Sequence, residues 1–402
     1  MSAGKGGRGR SVRAFLLLTL AWATVAAPAP YLPATDDTVL EQVAARSDLD
    51  RLEPLRRKVR EYPRDLTVTL QLAQSFLELG RTAGDPRFTA YAESTLLPWM
   101  AMTPIPEPVL VLQATALQNQ HQFSAAMALL DRAMQLNPGD PQVWLTRATI
   151  FALRNDVGNA RRACARLART ADVLVSLTCL TGIEGRNGHL GNSYNTLRQI
   201  HADDDRLPAP LRVWTLTQLA DMAERLGDDD AAQRYFRTAL RVAPADSFTL
   251  AAYADLLIRE TRYREAIDLL RGREAQDNLL LRLAIAGYQL QSTEGAHWAQ
   301  LYADRVEAAQ RDGDTVHIRE QARFALEVQH DASGALALAA RNWSQQREPA
   351  DLRIYWRAAR ASGAAAHETA LRQWFSATHY EDATLELPAT SPVDPPARVA
   401  RQ

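Results

Sequence analysis

The stretch WTLTQLADMAERLGDDDAAQRYFRTALRVAP, residues 214–244, decides the fold of this chain. It contains two apolar stripes with the three-and-four-residue spacing of amphipathic helices. The first stripe consists of Leu216, Leu219, Ala220 and Ala223. The second consists of Ala232, Phe236, Ala239 and Leu240. Gly227 ends the first predicted helix and Pro244 ends the second, so the stretch predicts two helices joined by a short turn.

Copies of this pattern recur along the chain, the clearest at intervals of 34 residues. Because neither helix of a pair can bury its apolar stripe alone, such pairs must stack on one another. A small residue recurs in each first helix, at Ala114, Ala148, Ala220 and Ala254. Another recurs in each second helix, at Ala126, Ala160, Ala232 and Ala266. Strand signals are scarce, so we predict an all-α array of antiparallel helix pairs.

The pattern resembles the tetratricopeptide repeat family, in which such small residues and a closing proline, here Pro138 and Pro244, mark each repeat. The array is expected over residues 66–272, with the clearest copies at 107–272. Residues 273–381 keep the helix pairing but lose the full signature. The resemblance implies a right-handed superhelical solenoid whose first helices line a concave groove. It also implies that this groove binds a peptide or protein segment.

Side chains opposite the apolar stripe of each first helix are expected to face that groove. They are Gln118, Asn119, Thr149, Trp214, Asp221, Glu224, Arg225, Asp255 and Arg259. The pattern of lysine and asparagine by which such domains clamp a C-terminal carboxylate is absent. The expected partner is therefore a basic or neutral segment of another protein. For each of these residues, an ordinary solvated helix face is the alternative interpretation.

The N-terminus has the order of a secretory signal peptide over residues 1–27: a basic region, an apolar region and small residues. Its apolar run, residues 14–27, is shorter than the ~20 residues that a bilayer span needs. We therefore expect an exported protein, periplasmic or secreted, with no membrane span after signal removal. An uncleaved anchor or an organellar transit peptide is the alternative. Residues 28–65 are expected to form a linker and capping helices, and the Pro-rich residues 382–402 a disordered tail.

The two cysteines fall in neighbouring helices of the predicted array. Cys164 lies in the second helix of one repeat and Cys179 in the first helix of the next. Because these helices are antiparallel and adjacent, the two side chains can face each other. A disulfide is plausible in an exported protein. The alternative is a pair of small buried apolar side chains.

No motif in the sequence points to catalysis, a cofactor or a metal. The eight histidines show no metal-ligand spacing, and there is no G-x-S-x-G motif and no P-loop. The two aspartate triplets, 203–205 and 228–230, precede helices or turns and are expected to cap them. A net charge of −1 without a basic run argues against nucleic acid as the main partner.

These observations predict a non-catalytic scaffold or assembly factor of the cell envelope that binds a protein or peptide. One alternative is an all-α enzyme acting on glycans, such as a helical-toroid hydrolase or lyase. Such an enzyme needs two carboxylates that converge on one cavity, and Asp221 with Asp255 is the candidate pair. The other alternative is a cytosolic repeat regulator whose N-terminus only resembles a signal peptide.

Overall fold

The computed structural model describes residues 47–201, 207–311 and 317–385. These residues contain nineteen α-helices and no strand. The helices are α1 (Ser47–Glu61), α2 (Leu66–Ala83), α3 (Arg87–Met100), α4 (Glu107–Asn119), α5 (Phe123–Leu136), α6 (Pro141–Leu153), α7 (Val157–Thr170), α8 (Val173–Glu184), α9 (Leu190–His201), α10 (Ala209–Arg225), α11 (Asp229–Val242), α12 (Ser247–Arg259), α13 (Tyr263–Leu270), α14 (Asp277–Gln289), α15 (Thr293–Arg311), α16 (Ile318–Glu327), α17 (Ala332–Gln345), α18 (Pro349–Ala361) and α19 (Ala365–Thr378).

The helices form nine consecutive pairs, from α2 with α3 to α18 with α19, and α1 packs on α2. First helices also pack on the first helices of the next pairs, as α4 does on α6 and α14 does on α16. The apolar stripes are therefore buried both within a pair and between pairs. The all-α solenoid predicted from the sequence is confirmed, and it includes the degenerate region after residue 277.

The central pair, α10 and α11, is built as its sequence predicts. The four residues of the first stripe are buried, at 0–4% exposure. Gly227 turns the chain with a φ of 81°, a conformation that glycine adopts without a steric penalty. The side chain of Asp228 accepts a hydrogen bond from the amide of Ala231 at 2.9 Å and so caps α11.

The turn within each of the nine pairs contains one residue in the left-handed conformation. These residues are Gly84, His121, Asn155, Gly188, Gly227, Thr261, Gln291, His330 and Gly363. The register of the turn is thus kept where the sequence signature fades. Thr261 is the unusual member of the set, because a β-branched side chain fits this conformation poorly.

The array curls until distant pairs touch. Helix α2 contacts α12, where Arg81 forms an ion pair with Asp246 at 2.7 Å. Further along, the amide of Arg347 donates to the carbonyl of Leu153 at 2.8 Å, which joins the start of α18 to the end of α6. The inner surface is therefore partly enclosed by later repeats.

Residues 380–385, here called the C-terminal segment, follow α19 and pack against the array. Tyr380, Asp382 and Leu385 are each 6% exposed, and Tyr380 and Leu385 belong to the apolar cluster around Trp356. The expected start of a disordered tail at Asp382 is therefore wrong, since the chain stays packed through Leu385. The rest of that predicted tail lies outside the described residues.

The predicted signal peptide and the first part of the predicted linker, up to residue 46, also lie outside the described residues. None of the described helices combines the length and hydrophobicity that crossing a membrane requires.

Candidate binding surface

The inner surface of the array contains two neighbouring cavities. The apolar cavity, of about 380 Å³, is bordered mainly by α6, α8, α10 and α12. The arginine cavity, of about 830 Å³, is bordered mainly by α12, α14, α16 and α18. The first helices of successive pairs thus form a continuous lining. Residues common to both cavities are Glu224, Asp255, Arg282, Arg319, Glu320, Ala350 and Arg353.

The apolar cavity is lined by aromatic and aliphatic side chains from successive repeats. Trp214 in α10 and Phe248 in α12 lie 34 residues apart, at equivalent repeat positions. Leu145 and Ile183 extend the apolar lining toward the earlier repeats. Phe248 is 60% exposed, so a large apolar side chain is presented to solvent on the inner surface.

The arginine cavity is lined by seven arginines and four carboxylates. The arginines are Arg259, Arg282, Arg319, Arg323, Arg353, Arg357 and Arg360. The carboxylates are Glu224, Asp255, Glu320 and Glu327. A guanidinium group offers five N–H donors in a planar fork, so this surface is rich in hydrogen-bond donors.

Three of these carboxylates are each shared between two arginines. Glu224 accepts from Arg259 at 3.2 Å and from Arg353 at 3.4 Å. Asp255 accepts from both ends of the Arg282 guanidinium, at 2.9 and 2.7 Å, and also from Arg323.

Glu327 completes the row, because its Oε1 accepts from Arg323 at 3.0 Å and from Arg357 at 2.6 Å. The result is a row of ion pairs that runs across α10, α12, α14, α16 and α18.

The ion pairs and burial act on the carboxyl groups in opposite directions. Burial alone raises the pKa of Asp255, but Arg282 and Arg323 outweigh it and hold this pKa well below its ordinary value. Burial likewise raises the pKa of Glu320, and Arg319 above all brings it down to about 2. Glu224 is the exception, because its burial outweighs its arginine partners and its pKa is raised.

The C-terminal segment lies on this row. The Arg225 guanidinium donates to the carbonyl of Glu381, at 3.2 Å from Nε and 3.1 Å from Nη2. The amide of Ala383 donates back to the carbonyl of Arg225 at 2.8 Å. Asp382 accepts from Nε of Arg353 at 3.1 Å. The array therefore already holds an extended acidic peptide, its own, by a backbone carbonyl and a carboxylate.

The residues predicted to line the groove fall into three groups. Those that line one or both cavities are Thr149, Trp214, Asp221, Glu224, Asp255 and Arg259. Gln118 and Asn119 are half-buried at the end of α4 and line neither cavity. Arg225 also lines neither cavity, because it is 2% exposed and bonds to the C-terminal segment and to the carbonyl of Gly185.

Two expectations about this surface need correction. Glu224, at 6% exposure, is buried beneath Arg259 and Arg353 and does not face an open groove. Asp255 is enclosed by Arg282 and Arg323. In both cases arginines that belong to later repeats cover the carboxylate, because the array curls around its own inner surface.

The two cysteines are joined by a disulfide between α7 and α8. Their Cα atoms lie 5.6 Å apart and their sequence separation is 15 residues. Closing a loop of that length is worth about 3 kcal/mol in the chain-entropy account. The bond fixes the wall of the apolar cavity, since Cys179 belongs to its lining.

The arginines of α16 and α18 are the residues that sequence reasoning missed. Arg319 and Arg323 recur 34 residues later as Arg353 and Arg357. Their four-residue spacing places each pair on one helix face. This 34-residue spacing is the repeat period itself, so charged residues carry the register where the apolar signature is lost.

A comparison with known families supports the repeat assignment. The tetratricopeptide repeat family model matches residues 215–246, which contain most of α10, all of α11 and the turn between them. The chain is a tetratricopeptide repeat protein. This repeat protein is also similar to "Cellulose synthase operon protein C" of Pseudomonas fluorescens (strain SBW25), with 26% identity over 246 residues. The match covers 57% of this chain but only 19% of that relative.

Two solved structures are also similar to this repeat protein at low sequence identity. A human IFIT1 dimer with PPP-AAAA has a TM-score of 0.46 and 11% identity, covering 81% of this chain and 77% of that one. A tetratricopeptide repeat protein from Parabacteroides merdae ATCC 43184 has a TM-score of 0.33 and 13% identity, covering 72% of this chain and 99% of that one.

Proposed function

We propose that this repeat protein is a non-catalytic scaffold of the cell envelope that binds a segment of another protein on its inner surface. The observation that carries the proposal is the pair of joined cavities. One presents exposed apolar side chains and the other presents guanidinium groups, and protein-binding surfaces combine such apolar and polar elements. Trp and Arg, which both occur here, are enriched among the residues that dominate binding energy.

Three observations support a location in the cell envelope. Residues 1–27 have the order of a signal peptide. The disulfide between Cys164 and Cys179 is typical of oxidising compartments. The similarity to a protein named for a cellulose synthase operon favours a role beside an assembly of that kind.

The glycan-active enzyme is less well supported. A glycosidase needs a carboxylic acid that stays protonated near neutral pH and a second carboxylate facing the same bond. The pKa of Asp255 is lowered by Arg282 and Arg323, against the effect of its burial. Glu224 has a raised pKa, but both of its oxygens accept from arginines. Neither carboxyl group is presented to a substrate as a general acid.

Affinity capture from a cell-envelope extract of the source organism tests this proposal. The bait is compared with Phe248→Ala on the inner surface and with Leu97→Ala in α3 as a matched control. The two replaced side chains are similarly exposed, at 60% and 68%. We expect the wild type and Leu97→Ala to capture the same short set of proteins and Phe248→Ala to lose it.

Mass spectrometry of the same samples identifies the captured proteins and the first residue of the bait. A start between residues 24 and 30 supports export, whereas an intact Met1 contradicts it. Equal capture by Phe248→Ala contradicts binding on the inner surface.

A further inference from the structure

The arginine cavity has more donors than its own carboxylates use. Glu224, Asp255 and Glu327 are each already bonded by two arginines. Nη2 of Arg353 is buried, lies in the lining of both cavities and has no hydrogen-bond partner among the described residues. A buried donor without a partner costs roughly 1–3 kcal/mol, so an acceptor placed there is favourable.

Further acids bond these arginines from outside the cavity lining. Asp229 bonds Arg259, and Asp382 bonds Arg353. Glu348 and Asp351 bond Arg319. A molecule that enters the cavity therefore meets the guanidinium groups, with seven arginines against four carboxylates in the lining.

The C-terminal segment indicates which kind of anion fits. Thr384 and Leu385 reach the lining of the arginine cavity. The neighbouring Asp382 carboxylate bonds Arg353, and the Glu381 carbonyl bonds Arg225. An extended peptide with an acidic side chain is thus bound at the rim by donors of the same row. The cavity volume of about 830 Å³ lies in the range of ~300–1,000 Å³ typical of ligand sites.

We propose that the arginine cavity binds an acidic, extended segment of the partner protein, with one carboxylate accepting from Arg353 and another from Arg357. The inference rests on the proposed scaffold function and specifies the chemistry of its partner. It reverses the expectation of a basic or neutral partner that the sequence suggested. That expectation counted Asp221 and Asp255 as available charges, whereas Arg282 and Arg323 neutralise Asp255.

Fluorescence anisotropy with synthetic peptides tests the inference. The probe is a fluorescein-labelled peptide of about ten residues with one Phe and five Asp. Matched copies replace every Asp by Asn or by Lys. We expect the Asp peptide to bind the purified chain at least about tenfold more tightly than the Asn copy. Added salt should weaken this binding, because exposed charges are screened.

Charge reversal separates the cavity from the rest of the surface. Arg357→Glu changes a lining residue whose side chain is 54% exposed. Arg271→Glu makes the same change at the end of α13, where the side chain is 58% exposed. We expect Arg357→Glu to weaken binding of the Asp peptide at least about tenfold and Arg271→Glu to leave it unchanged. Arg357→Gln should fall between them and serves as the readout if the reversal disturbs folding.

Three results would overturn the inference. They are equal or tighter binding of the Asn or Lys copy, no effect of Arg357→Glu or Arg357→Gln, and tighter binding of polygalacturonate than of the Asp peptide. The last result would assign the cavity to an anionic glycan.

The envelope capture experiment keeps this inference distinct from the proposed function. If Phe248→Ala loses the captured proteins but Arg357→Glu retains them, the scaffold stands and the acidic partner is wrong. If neither variant loses them, binding on the inner surface is wrong as a whole.

Discussion

The central repeat, α10 with α11, and the following repeat, α12 with α13, have the same register but different surroundings. Asp221 and Asp255 occupy equivalent positions, 34 residues apart. Asp221 faces one arginine of its own helix, Arg225, at 3.5 Å. Asp255 is held by Arg282 from α14 and Arg323 from α16.

The difference shows that position within a repeat decides which way a side chain points but not what it meets. The partner comes from whichever later repeat curls over that position. In a straight array the two aspartates would have equivalent neighbours. Here curvature gives one of them a single weak partner and the other two strong ones.

The largest expected effect is at Asp255. Asp255→Asn leaves the guanidinium groups of Arg282 and Arg323 without their shared anion, and breaking a buried ion pair in this way is strongly destabilising. We expect a loss of about 3 kcal/mol in the free energy of unfolding at pH 7. Asp221→Asn should cost less than about 0.5 kcal/mol, because its single pair is partly exposed and long.

Urea denaturation of both variants, with hydrogen exchange of the α12 amides, measures this difference. The pKa of folded Asp255 lies below its ordinary value of 3.8, so its stabilising contribution is present above that pH and lost on further acidification. The gap between wild type and Asp255→Asn should therefore persist at pH 5. Equal losses for the two variants would mean that curvature does not matter at these positions.

A second contrast, at Arg225 and Arg259, should be somewhat smaller. Arg225 is buried, bonds to the carbonyls of Gly185 and Glu381, and lies 4.7 Å from the Tyr380 ring. Arg225→Met leaves both carbonyls unsatisfied, and we expect a loss of about 2 kcal/mol. Arg259→Met removes a side chain that is 33% exposed, and we expect less than about 1 kcal/mol.

Hydrogen exchange at residues 380–385 provides the specific readout of the Arg225 contacts. These amides should exchange faster in Arg225→Met and stay protected in Arg259→Met. Unchanged protection in Arg225→Met would show that the C-terminal segment is held by Tyr380 and Leu385 alone.

How far the sequence predicts this molecule can be judged on α10. The 34-residue period correctly assigned its apolar stripe, its end at Gly227 and its pairing with α11. It also placed Trp214 and Asp221 on the inner surface. These are local properties, because the helical period and the packing of neighbouring helices determine them.

Burial of Glu224 and Arg225 could not be predicted in the same way. It depends on Arg353 and Glu381, which lie more than a hundred residues later in the chain. Small rotations between successive repeats add up to decide whether such residues meet. One sequence alone does not encode that sum in any short motif.

A third prediction concerns the two carboxyl groups that behave in opposite ways. Burial raises the pKa of folded Glu224, so its stabilising contribution is present below the ordinary value of 4.5 and lost as the pH rises. Glu224→Gln cannot ionise. We therefore expect its stability relative to wild type to increase from pH 4 to pH 8, an effect smaller than the previous two.

Urea midpoints at three pH values measure this trend. Asp255→Asn is the control, because its stability relative to wild type should fall over the same range. A parallel trend in the two variants would mean that the arginine partners, and not burial, dominate at Glu224.

The smallest expected effect is in the turns of the same two repeats. Gly227 and Thr261 are equivalent, with φ values of 81° and 60°. A threonine in this conformation is strained, because its branched Cβ crowds the backbone. Thr261→Gly should raise the free energy of unfolding by about 0.5–1 kcal/mol, and Gly227→Ala should lower it by a similar amount. Differential scanning calorimetry of the two variants measures both shifts. A loss of stability in Thr261→Gly would show that the greater freedom of glycine in the unfolded chain outweighs the strain that the substitution relieves.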